Sequence, residues 1–89
     1  YQSRLFSADI RALNARALVS WRTRFQQQLE RIAETYPPRF EVNLADVADM
    51  LSAIADGGII LSRVLHDKTI LPRQVMLYRQ FVMALFVGT

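Results

Sequence analysis

Apolar residues recur at every third or fourth position along nearly the whole chain, and that period suits one element, the amphipathic α-helix. No strand-like alternation competes with it. The period is interrupted twice, at Tyr36-Pro37-Pro38-Arg39 and at His66-Asp67-Lys68-Thr69. The expectation is therefore an all-α fold, a single antiparallel domain over 1–89 with helices at about 8–36, 44–66 and 70–87.

In the first helix Ile10, Leu13, Ala17, Trp21, Phe25, Leu29 and Ile32 gather on one face, with Arg22, Gln26 and Glu30 away from its centre. Pro37 and Pro38 end it, because a proline disfavours helical geometry in the residue before it and has no amide hydrogen to donate. The second helix has Asn43 as its cap and Asp46 in the first turn, where the helix dipole favours negative charge. Its main face is Leu44, Val47, Leu51, Ile54, Ala55, Gly58, Leu61 and Leu65. A second apolar strip, Ala53, Gly57, Ile60 and Val64, lies roughly 100° or more round the cylinder, so this helix is asked to pack in two directions. Gly57 and Gly58 admit a break between two helices or a close approach inside one. The apolar phase runs on unchanged from Leu44 to Leu65, which favours continuity. The third helix is expected to start at Thr69 as a cap, with Pro72 in the first turn. Leu71, Val75, Tyr78, Phe81, Val82 and Leu85 make its main face, and Met76, Met83 and Phe86 extend the apolar surface beyond it.

A chain of 89 residues, 52% of them hydrophobic, has more apolar surface than a three-helix unit of that size buries alone, so part of it is expected to meet another chain. The flexible side chains of Met50, Met76 and Met83, with Gly57 and Ile60, are the best candidates for such a subunit interface, ordinary core packing being the alternative. Asn14 and Gln28 lie within about 30° of Trp21 on the helical wheel, so they either orient a small ligand in an aromatic pocket or bond to backbone or water at the core edge.

Catalytic and metal chemistry find little to work with. The chain has no cysteine, which excludes disulfides and thiolate metal sites and suits a reducing compartment. His66 is the sole histidine, and its two readings are a surface residue at a helix C-terminus or, with Asp67, an acid and base lacking a nucleophile. Asp46, Asp49 and Asp56, near Ser52 and Arg63, read more economically as a solvated or salt-bridged edge than as a cation site. No phosphate-binding glycine loop and no cofactor motif is present, and the chain is not expected to be an enzyme. The net charge of +3 is uneven, about +4 over residues 1–40 and −1 over 41–89, but Arg4, Arg11, Arg16, Arg22, Arg24 and Arg31 fall all round the first helix and form no stripe for nucleic acid. The apolar run 75–87 is too short to span a bilayer and is interrupted by Arg79 and Gln80, so no membrane association is expected. No secretory signal is visible, and a first residue of Tyr1 suggests a fragment.

Residues 55–65, ADGGIILSRVL, and 70–88, ILPRQVMLYRQFVMALFVG, resemble the C-terminal domain of TetR-family transcriptional regulators. Asp56-Gly57 and the Gln74, Tyr78, Arg79 pattern carry the likeness, which covers the last two helices best. Residues 11–33, RALNARALVSWRTRFQQQLERIA, look like the long helix that lines the family's inducer pocket. The resemblance implies a cytoplasmic homodimer joined as a four-helix bundle by the last two helices of each subunit. It implies a small hydrophobic effector and DNA binding through a helix-turn-helix that this chain does not contain. The residues expected at the ligand are Asn14, Trp21, Phe25, Gln28 and Met50. Those expected at the dimer interface are Ala53, Gly57, Ile60, Val64, Met76, Met83 and Phe86. The rival reading is a helical adaptor that binds a different protein and no small ligand.

Overall fold

The structure, a computed structural model, describes the backbone of residues 2–88 and the side chains of residues 7–88. Arg4, one of the first helix's basic residues, lies outside the described side chains. Three helices follow one another, α1 (Gln2–Thr35), α2 (Leu44–Val64) and α3 (Ile70–Phe86), and no strand occurs among the described residues. α1 starts six residues before the expected point, and α2 ends two residues before it. At 1.5 Å per residue α1 is about 51 Å long, which accounts for the longest dimension of the molecule, 52 Å.

Local chemistry sets the ends. The Asn43 side chain accepts a hydrogen bond from the Asp46 amide at 3.2 Å, capping α2 as expected. α2 runs unbroken through Gly57 and Gly58. It ends at Leu65, after which His66 takes a left-handed conformation (φ 50°) and the Asp67 amide donates back to the Ser62 carbonyl at 3.0 Å, the pairing of a Schellman motif. The start of α3 differs from the expected Thr69 cap. The Thr69 hydroxyl and amide both donate to the Asp67 carboxylate, at 2.6 and 2.9 Å, so the aspartate two residues upstream organises the turn.

The core sits at the end of the molecule where the 36–43 connection lies. Leu29 of α1, Val47 and Ala48 of α2, and Tyr78, Leu85 and Phe86 of α3 are buried together, with Phe25, Ala33, Leu51, Ile54, Phe81 and Val82 packed round them. The Tyr78 hydroxyl donates to the Val47 carbonyl at 2.5 Å, and burial pushes that phenol up to about 12. The connection is itself tied down, the Arg39 amide donating to the Leu85 carbonyl at 2.8 Å. Gly58 is the point of closest approach between α2 and α3, for a Cβ there would meet Leu71 Cδ1 at 2.7 Å and Leu71 Cα at 3.3 Å.

Away from this end the packing opens. α1 packs on α2 only through its second half, and every described side chain from Ser7 to Ser20 is exposed, Ile10 and Leu13 included. Leu61, Leu65 and Val75, expected on inward faces, are exposed too. The reason is geometric: α1 covers the start of α2 but no third helix reaches the α2–α3 turn.

Candidate functional site

α1 and α2 form a groove where they separate. Asn14, Ala17, Leu18 and Trp21 recur at helical spacing and project from one side of α1, while Leu51, Ser52, Ala55 and Asp56 do the same on α2. Two adjoining hollows result. One, of about 450 Å³, is lined by Leu18, Trp21, Leu51, Ser52, Ala55 and Asp56. The other, of about 430 Å³, is lined by Asn14, Ala17, Leu18 and Asp56. Leu18 and Asp56 belong to both, which places them at the middle of the groove.

An ion pair bridges the two helices beside the groove. Arg22 Nε and Nη2 donate to the two oxygens of Asp49 at 2.6 and 2.9 Å, a bidentate geometry that keeps the guanidinium protonated beyond its usual range through the hydrogen bonds and the carboxylate's charge. Both side chains are close to half exposed, so the pair fixes register more than it adds stability. Trp21 is braced from behind by Phe25, the rings stacked at 5.1 Å and 24°.

Of the five residues expected at a ligand, Trp21 and Asn14 line the groove and Phe25 supports Trp21 from the core side. Met50 and Gln28 are exposed and border neither hollow. The inward orientation expected of Asn14 and Gln28 is corrected: both are solvent-exposed, because α1 meets its neighbours through the narrower stripe of Trp21, Phe25, Leu29 and Ala33. Leu18, Ala55 and Asp56 were not expected at a ligand site. The available signal was the acidic edge of α2, whose Asp49 faces Arg22 of α1, marking that edge as the one turned toward α1.

Of the residues expected at a dimer interface, Ala53, Ile60, Val64, Met76 and Met83 are exposed and Gly57 has open space above it. Phe86 is a correction. It is 5% exposed, since it belongs to the core cluster with Leu29, Val47 and Ala48, at the end of α3 where the Arg39 amide bonds to the Leu85 carbonyl. His66 is exposed, and among the described residues no group of three His, Asp or Glu side chains could hold a metal ion. Among the described residues no helix is long and apolar enough to cross a membrane.

Comparison with known proteins finds no family model, no curated protein and no solved structure that matches the chain. The fold and site define the class at the level of architecture: an all-α, three-helix domain with a groove between α1 and α2 and an open apolar end.

Proposed function

We propose that this chain is the effector-sensing and dimerisation part of a bacterial transcriptional regulator of the TetR kind, whose DNA-reading segment is not in this sequence. One observation carries the reading. A compact monomer of 10.2 kDa exposes about 5,300 Å², whereas this chain exposes 7047 Å². The excess of about 1,700 Å² is comparable with what one subunit contributes to a large, permanent interface. The radius of gyration, 16.2 Å against about 12 Å for a compact chain of this length, reflects the same openness.

Part of that surface belongs to the uncovered first half of α1, and part is apolar surface on α2 and α3. Ile60 is 61% exposed, Val64 68% and Met76 50%, with Ile59, Leu61, Leu65, Leu77 and Met83 also open. Monomers rarely leave large side chains of this kind in one region. A two-fold pairing of α2 and α3 with the same helices of another copy covers Ile60, Val64, Met76 and Met83 in a self-complementary way and forms a four-helix bundle. An effector in the α1–α2 groove then biases the spacing of α1 against the paired helices, and that bias is what passes to DNA-binding heads.

Light scattering on the eluting protein tests the central element. A mass of twice 10.2 kDa is expected, falling to the monomer when Ile60→Asp and Val64→Asp are combined. A wild-type chain that stays monomeric at high micromolar concentration removes the reading.

A further inference from the structure

We propose that the α1–α2 groove selects cationic amphiphiles, with Asp56 taking the positive charge and Leu18, Trp21, Leu51 and Ala55 the apolar body. This rests on the effector reading above and specifies the ligand it leaves open. The combined hollows fall in the size range of small-molecule sites, and their walls are mainly apolar with a few polar groups, as such sites require. The charge in the groove is what discriminates. Asp49, at its flank, is already neutralised by the bidentate Arg22 pair. Asp56 lines both hollows with its side chain exposed to solvent, and among the described residues no basic group lies within 4.0 Å of its carboxylate.

An anionic ligand would set its charge beside that carboxylate, and a neutral apolar one would strip water from it with nothing in return. A cation replaces the water that a bound ligand displaces from this carboxylate. The indole of Trp21 adds to the preference, because an aromatic face attracts an organic cation, and the Asn14 amide and Ser52 hydroxyl offer hydrogen bonds at the edge. The chain as a whole is basic, with a net charge of +3, so diffuse electrostatics alone would favour an anion. A preference for cations therefore has to arise locally.

Trp21 is the sole tryptophan of the chain, so its fluorescence reports groove occupancy directly. The full chain is titrated with tetraphenylphosphonium and with tetraphenylborate, two ions of like shape and opposite charge. The phosphonium is expected to bind at least about tenfold more tightly. Asp56→Asn is expected to weaken it about fivefold, Asp56→Glu to keep the preference, and Glu34→Gln, at the far end of α1, to leave it unchanged. Circular dichroism and light scattering confirm that each variant keeps its fold and oligomeric state. If Trp21 responds equally to both ions, or Asp56→Asn changes nothing, the cation preference falls while a groove-binding effector stands. If neither ion reaches Trp21, the proposal falls and the effector reading loses its site with it.

Discussion

Tyr78 shows how much a single side chain contributes here. Its ring is 6% exposed and its hydroxyl ties α3 to α2 through the Val47 carbonyl. Tyr78→Phe removes that bond while the carbonyl keeps its intrahelical partner, so a loss of about 1 kcal/mol is expected in urea denaturation. The pH dependence has a definite sign. The folded phenol is raised to about 12, above its ordinary value of 10.0, so its contribution is complete below pH 10 and is lost as pH climbs toward 12, where the unfolded chain ionises first. Over that window stability is expected to fall by up to about 1.4 kcal/mol per pH unit, and Tyr78→Phe should lack this part of the decline. At His66 the opposite kind of change is available. A non-glycine residue at φ 50° is strained, so His66→Gly is expected to raise stability by about 1 kcal/mol, measured by thermal or urea unfolding.

Among the elements, α2 carries the sharpest contrast, in two neighbouring glycines. A Cβ at position 58 meets the Leu71 backbone, which Pro72 and the first turn of α3 hold in place, so Gly58→Ala is expected to cost about 1 kcal/mol despite its gain in helix propensity. A Cβ at position 57 meets nothing within 4 Å, and Gly57→Ala is expected to add about 0.5 to 1 kcal/mol in the isolated subunit. Paired unfolding curves of the two variants, compared at concentrations that keep the chain monomeric, check both signs. The helical period placed Gly58 on the main face of α2 and Gly57 on the second strip, because a step of one residue turns the side chain by about 100°. That Leu71 is the residue Gly58 meets depended on how the two helices cross.

At the scale of the whole molecule the division is between a packed end and an open one. Amides near Leu29 and Val47, at the packed end, are expected to exchange with solvent at least about a hundredfold more slowly than those of residues 7–17, which have no tertiary cover in the single subunit. Hydrogen exchange followed by mass spectrometry reads this difference. Three helices, their order, the Asn43 cap and the continuity of α2 were legible in the sequence, since each follows from local spacing or from one side chain bonding its own backbone. The surplus of apolar surface was legible too, because it depends on composition and length. The lining of the groove was not. Asp56 and Leu18 meet only because α1 and α2 run antiparallel and part company beyond Trp21, a long-range fact that neither helix encodes alone. Phe86 likewise looked like outer surface on the wheel of α3 but lies in the core with Leu29 of α1 and Val47 of α2. Sequence thus determined what each segment becomes and how much oily surface it presents, since those are local and additive. The tertiary structure alone decided which face is covered, because cover depends on where a distant segment comes to rest.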